Sequence, residues 1–248
     1  MNKVVLITGA ATGLGRATAL KLAAQGYRLS LVDYNEKDGQ ATAEEAKMLG
    51  AEVIFVKANV ASEADVKHYV AQTVASFGTI DYFHNNAGIM LPFRLLHEYS
   101  SEEYDRLMNI NLKGAFLGIK YVIPVMIENG GGVIINTVSS NSFKPTAFNG
   151  IYAASKHALA GLTKSIGQDY QDLNIFAVGV APNTMQTNIS AQAISTYTEE
   201  IGAKIAATTA PNIPATAEEI ADVVIFAMNG AKTLNGSIVN CAGGQIYI

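Results

Sequence analysis

The sequence predicts a doubly wound α/β protein, a seven-stranded parallel sheet of order 3-2-1-4-5-6-7 with helices on both faces, spanning residues 1–248. Three observations predict it. Short apolar runs rich in β-branched residues alternate with longer segments of helical period. Most of the runs lack polar alternation, as expected of strands covered on both faces. The first run leads directly into a glycine-rich turn and a helix, the order in which an open parallel sheet binds a dinucleotide.

The strands are expected at 4–8, 29–33, 53–57, 80–84, 133–138, 176–180 and 238–240. Between them, Ser62-x-x-Asp65, Ser100-x-x-Glu103 and Thr216-x-x-Glu219 read as capping boxes, each offering a hydroxyl and a carboxylate to the free N–H groups of a new helix. Gly26, Gly50 and Gly78 close periodic segments where a left-handed residue ends a helix. Residues 183–215, rich in Thr, Ala and Ile with Pro211 and Pro214, form a long stretch expected to be a substrate loop or lid.

With 248 residues, 49% of them hydrophobic, the chain can bury a large core. Only 15% are charged and the net charge is -4, which leaves no basic excess for nucleic acid or an acidic membrane. A single cysteine, Cys241, cannot form an internal disulfide, and only four apolar residues precede Thr8-Gly9, too few for a signal peptide. No apolar run is expected to cross a bilayer, and the chain is expected to be cytoplasmic.

The turn after the first strand reads Thr8-Gly9-Ala10-Ala11-Thr12-Gly13-Leu14-Gly15. Glycine there permits a tight turn and lets a pyrophosphate approach the N–H groups at the positive end of the next helix, the Rossmann arrangement. Asp33 ends the second strand 18 residues beyond Gly15. A carboxylate at that place accepts both ribose hydroxyls of NAD and repels the 2′-phosphate of NADP, so NAD is favoured over NADP. Tyr152 and Lys156 are four apart on a helix, hence on one face, where the ammonium favours a phenolate.

Taken in order, these motifs resemble the short-chain dehydrogenase/reductase (SDR) family from end to end. The resemblance rests on Thr8-Gly9-x-x-x-Gly13-x-Gly15, Asn85-Asn86-Ala87-Gly88, Asn111-Leu112-x-Gly114, and Ser139 thirteen residues before Tyr152 with Lys156. It implies that Tyr152 exchanges a proton with the substrate oxygen while hydride moves to or from nicotinamide. Lys156 would bind the nicotinamide ribose and lower the Tyr152 pKa, Ser139 would hold the substrate oxygen, and Asn111 would interrupt its helix and support a water leading from Lys156. Gly9, Thr12, Gly13, Leu14, Gly15, Asp33, Asn59, Val60, Asn86, Ala87, Gly88, Pro182, Thr184 and Thr187 would surround the cofactor. It also implies a homotetramer or homodimer, with Ala153, Ala160 and Gly161 permitting close approach between subunits.

The chain departs from the family pattern at three places. Asn59 stands where an aspartate usually faces adenine, and its amide oxygen can still accept from the adenine amino group. Asn183 replaces the glycine after Pro182, at a turn that Asn can hold through its tolerance of left-handed backbone. Phe176-Ala177-Val178 replaces the usual Arg-Val-Asn.

His68, His84, His97 and His157 lie on separate segments without metal-ligand spacing, and no metal is expected. Pocket walls drawn from Met90, Leu91, Phe93, Phe143, Phe148, Ile151, Met185 and Ile189 suit a neutral, largely apolar secondary alcohol or ketone, Arg94 being the one nearby cation. An NADPH-dependent 3-oxoacyl-[acyl-carrier-protein] reductase is the alternative, and a non-catalytic dinucleotide-binding regulator a third reading.

Overall fold

The computed structural model describes residues 3–183, 185, 198–208 and 214–243. Seven strands among them, β1 (Val4–Thr8), β2 (Arg28–Asp33), β3 (Val53–Lys57), β4 (Tyr82–Asn85), β5 (Gly132–Thr137), β6 (Ile175–Pro182) and β7 (Ile238–Cys241), form one parallel sheet of order β3-β2-β1-β4-β5-β6-β7, as expected. β4 begins at Tyr82 rather than at Ile80, because the parallel register sets Tyr82 opposite Val5 while Asp81 is spent on Lys3 and on the Val4 N–H. β6 runs on through Ala181 and Pro182, which face Asn240 and Cys241, so Pro182 ends a strand instead of following one.

Strand side chains alternate between two apolar layers. Val5, Ile7, Leu29, Leu31, Ile135 and Val178 face α1 (Gly13–Ala24) and the C-terminal helix Ala217–Asn229. Leu6, Val32, Ile134 and Ala177 face α3 (Glu63–Phe77) on the other side, together with α5 (Ala115–Glu128) and α6 (Gly150–Asp169). This period of two accounts for strands that read as uninterrupted apolar runs.

Helix starts follow the expected chemistry. Asn35 caps α2 (Glu36–Met48), and Ser62 accepts from the Asp65 N–H to cap α3. The reciprocal box closes at Ser100 with Glu103, opening α4 (Ser101–Met108), and at Thr216 with Glu219. At Ser62 it does not, since Asp65 binds the Asn59 N–H and the Ser62 hydroxyl instead. Gly26, Gly50 and Gly78 all have positive φ.

Three features bear on the remaining expectations. The helical run Ser101–Glu128 is 28 residues and, by length and composition, apolar enough to cross a membrane. Half of its apolar window is buried in the fold, and residues Asn109–Gly114 within it form a π-helical turn. Within the stretch 183–215, α7 (Glu199–Thr208) is helical, and Met185 forms a parallel bridge with Ala215. The last helix, Ala217–Asn229, is α8 here. Of the residues expected to permit close approach between subunits, Ala153 and Ala160 are buried and Gly161 has nothing within 4 Å of where a Cβ would lie.

Phe83 is fully buried at the centre of the second layer, and a Cβ on Gly118 would lie 2.7 Å from its ring. Phe83→Ala is expected to lower unfolding free energy by about 3–5 kcal/mol, read by urea denaturation followed by circular dichroism.

Candidate active site

The carboxyl ends of β1, β2, β4 and β5 converge on one region. After β1 the chain turns through Gly9 (φ 67°) and Gly13 (φ 55°), backbone that side chains other than glycine rarely adopt. Gly15 meets the turn from within α1: a Cβ there would lie 2.0 Å from the Gly9 carbonyl oxygen and 2.8 Å from Asn86 Nδ2. The Asn86 amide donates to the carbonyls of Thr8 and Gly9 at 3.0 and 3.2 Å, and Thr8 Oγ1 accepts from the Asn86 and Ala87 N–H groups. The asparagine that follows β4 therefore ties the glycine turn to the neighbouring strand.

The start of α1 carries no side-chain cap and no acidic residue in its first turn; Thr12, the N-cap residue, is exposed. Its N–H groups, with the positive end of the helix dipole, suit a phosphate. Leu14 points its side chain into the apolar layer below. At the end of β2, Asp33 Oδ2 accepts from the Ala11 N–H and Oδ1 from the Asn35 N–H, both at 2.9 Å, so the carboxylate is held rigidly beside the turn. A glycine cradle that no Cβ could share, an uncapped helix start and a clamped acid fit a dinucleotide.

Asn59 lies exposed after β3. Its Oδ1 already accepts from the Ala61 N–H at 3.0 Å, so the oxygen expected to meet adenine has one lone pair committed. Val60 packs under the π turn, where a Cβ on Gly114 would be 3.0 Å from its side chain.

The catalytic candidates lie one strand further along. Tyr152 and Lys156 are both buried on α6, with Lys156 Nζ 5.7 Å from the centroid of the phenol ring. Lys156 Nζ donates to the Thr137 carbonyl at 2.7 Å, and burial brings its pKa down to about 8. Burial likewise pushes Tyr152 up to about 12, and a hydrogen bond with Ser139 only partly offsets it. Desolvation is thus the dominant influence on Tyr152 in the protein alone.

Asn111 sits in the π turn, with Oδ1 accepting from the Ile89 N–H at 2.8 Å and Nδ2 donating to the Ile89 carbonyl at 2.9 Å. Both ends of the amide clamp the chain after β4. Gly88 passes directly over this group: a Cβ there would be 3.3 Å from Asn111 Oδ1 and 3.7 Å from Lys156 Nζ.

At the end of β6, Asn183 does not adopt left-handed backbone; Phe148 and Asn174 are the non-glycine residues with positive φ among those described. Asn183 Oδ1 instead accepts from the Ser140 hydroxyl at 2.9 Å, and Nδ2 is buried without a partner. The polar contacts near Ala177 come from Asn235, which accepts from the Ala177 N–H and donates to the Gly167 carbonyl. Thr184, Thr187 and Ile189 lie outside the described residues, as does Pro211.

Around Tyr152, Leu91, Leu107 and Ile151 form an apolar cluster with Met90 packed against it. Phe143, expected in the pocket wall, packs instead against Val138 and Leu159. Arg94 is committed to Glu103, with both carboxylate oxygens 2.9 Å from Nη1. Phe148 holds a φ of 62° while its carbonyl accepts from the Arg94 N–H, and Lys204 of α7 stacks 5.3 Å over its ring. His157 is exposed, and no cluster that could hold a metal occurs among the described residues. Sequence reasoning passed over Thr137, because a hydroxyl residue at a strand end reads only as β propensity.

A doubly wound sheet with a glycine cradle at its switch point and a buried Tyr–Lys pair on the adjoining helix is the architecture of a dinucleotide-linked oxidoreductase. The model of the short chain dehydrogenase family matches residues 3–198, and the chain belongs to that family. It is 37% identical to levodione reductase of Leifsonia aquatica, over 98% of this chain and 94% of the relative. It is 33% identical to the 3-oxoacyl-[acyl-carrier-protein] reductase of Staphylococcus epidermidis (strain ATCC 35984 / DSM 28319 / BCRC 17069 / CCUG 31568 / BM 3577 / RP62A), over 99% of each. The crystal structure of levodione reductase superposes with a TM-score of 0.92 at 35% identity, covering 99% of this chain and 98% of that one. That of NAD+-bound xylitol dehydrogenase gives 0.89 at 29% identity, covering 98% of each. The protein is an oxidoreductase of alcohols and ketones.

Gly15→Ala is expected to weaken dinucleotide binding by at least about 100-fold, since a Cβ cannot coexist with the Gly9 carbonyl. Titration of cofactor by intrinsic fluorescence, with a thermal melt alongside, checks it.

Proposed function

We propose that the protein is an NAD-dependent dehydrogenase/reductase of a neutral, largely apolar secondary alcohol or ketone. The observation that carries the reading is the burial of Tyr152 and Lys156 together beneath Gly88, beside Ser139 and within reach of the glycine cradle. NAD when bound supplies a hydride acceptor, and NADH a donor. Gly9, Gly13 and Gly15 give the pyrophosphate its approach to the start of α1, and Asp33 accepts from the adenosine ribose hydroxyls while opposing a 2′-phosphate.

Ser139 and Tyr152 hold the substrate oxygen between two hydroxyls. In ketone reduction Tyr152 donates its proton to that oxygen, and in alcohol oxidation it receives one. Lys156 stabilises the resulting phenolate electrostatically, with its ammonium oriented by the Thr137 carbonyl. Asn111 fixes the segment at Ile89 that roofs the lysine. The cluster of Leu91, Ile151 and Met90 and the neutralised Arg94 favour an uncharged substrate. Levodione reductase and xylitol dehydrogenase, among the similar proteins, are named for a ketone and a polyol. We assign the exposed Tyr104 and Phe116, on α4 and α5, to contacts between subunits of a homo-oligomer.

The second reading, a 3-oxoacyl-[acyl-carrier-protein] reductase, is favoured by the end-to-end similarity to such an enzyme. NADPH preference and turnover of a 3-oxoacyl thioester would select it.

Three results are expected. Tyr152→Phe loses about 10²–10⁴-fold in kcat while binding NAD normally, measured by reduced-nicotinamide absorbance. Asp33→Ala raises the NAD dissociation constant about 10- to 100-fold and brings NADP affinity closer to it. Because burial holds Tyr152 protonated at neutral pH, alcohol oxidation, which needs the phenolate, should accelerate as pH rises from about 7 to 8, up to about tenfold per unit, and level off above that as Lys156, brought to about 8 by burial, loses its charge. Ketone reduction, which uses the phenol, should not rise over that range; parallel profiles in the two directions would defeat the assignment.

A further inference from the structure

The ends of β4 and β5 carry buried polar side chains that the proposed chemistry does not use. Parallel register sets His84 opposite Ile135 and Asn85 opposite Asn136, which puts Thr137, opposite Val180 of β6, one step beyond the part of β5 paired with β4. Thr137 makes contacts in three directions. Its hydroxyl donates to Asn86 Oδ1 at 3.0 Å, and His84 Nε2 lies 2.9 Å from the Thr137 hydroxyl oxygen. Its carbonyl accepts from Lys156 Nζ at 2.7 Å.

Proton counting fixes every role. Asn86 points its Nδ2 at the carbonyls of Thr8 and Gly9, which can only accept, so the atom facing Thr137 is the amide oxygen. The hydroxyl has one proton and gives it to that oxygen. His84 Nε2 must then donate, which makes His84 the neutral Nε2–H tautomer with an unprotonated Nδ1. That Nδ1 is buried and has no partner, and burial pushes the imidazole pKa down to about 3, so the ring stays neutral.

We propose that His84 and Thr137 are positioning residues: a directed chain of hydrogen bonds, His84 to Thr137 to Asn86 to the Gly9 turn, shares the Thr137 residue with Lys156 and so joins the cofactor cradle to the catalytic lysine. The proposal rests on the dehydrogenase reading above. One residue holds both contacts. Its side chain is anchored between His84 and Asn86, which sets the strand end, and the strand end sets the carbonyl that orients Lys156. Seating the dinucleotide on the glycine turn and aligning the lysine are thereby a single mechanical event. A valine keeps the shape and the carbonyl but leaves the Asn86 oxygen and the His84 N–H unpaired; a serine restores the hydroxyl.

The test uses the full chain. Long-range ¹H–¹⁵N NMR of the unmodified protein should find His84 as the Nε2–H tautomer, still neutral at pH 5; a Nδ1–H or charged ring overturns the chain of donors. Thr137→Val should raise the NAD dissociation constant and lower kcat, each by about tenfold. Thr137→Ser should recover most of both losses. Valine and unmodified enzymes alike in both constants, or a folded serine variant no better than valine, overturns the coupling. If the valine variant does not fold, the tautomer decides. Absence of NAD-linked turnover in the unmodified protein would instead defeat the dehydrogenase reading, leaving the tautomer and the NAD affinities to judge the relay.

Discussion

The catalytic end of the molecule hangs on the close approach of α1 to the turn that precedes it. With no side chain at Gly15, the helix start lies against the Gly9 carbonyl, and Asn86 can reach both Thr8 and Gly9. That contact brings the end of β4 under the turn. It therefore also sets where Gly88 passes over Asn111 and Lys156. A methyl group at Gly15 would push all three segments apart, which is why the glycine is a steric requirement rather than a matter of flexibility.

A second layer of order comes from amides and hydroxyls buried at the strand ends. Asn85 donates to Asn136, Asn136 to Thr163, and Thr163 back to the Leu159 carbonyl, so β4, β5 and α6 are stitched together behind the site. Each such group costs free energy if left unpaired, about 1–3 kcal/mol, and Asn85, Asn136 and Thr163 each have a partner. Apolar packing alone tolerates small slides between a helix and a sheet; directional bonds in a dry environment do not. They hold Tyr152 and Lys156 in register with strand ends that carry other parts of the site.

Much of this was legible in the sequence because it is local. Alternation of apolar runs predicted a parallel sheet, the family resemblance its order, Ser100 and Thr216 announced their helices, and the spacing of Tyr152 and Lys156 placed them together. What escaped was set by distant partners. Asn59 commits its oxygen to Ala61, and Asn183 trades left-handed backbone for a bond to Ser140, forty-three residues away. The pKa of Tyr152 depends on how completely the fold excludes water, which a spacing of four residues does not record. Helix α7 hid in a stretch whose Thr content and flanking prolines suggested only a loop, although the Ala, Glu and Lys of Glu199–Thr208 are good helix formers.

The sheet order also has a consequence for assembly in time. The glycine turn is complete within the first fifteen residues to be synthesised, yet the atoms it rests on, Asn86 Nδ2 and the Ala87 backbone, emerge some seventy residues later. At about 5–20 residues per second that is a delay of several seconds on the ribosome. Until β4 inserts beside β1, the turn has no floor, and Lys156, made 19 residues after the Thr137 carbonyl it addresses, comes later still. The nascent chain thus carries the most recognisable motif of its family long before it can hold a nucleotide, and cofactor capture reports that the middle of the sheet has closed.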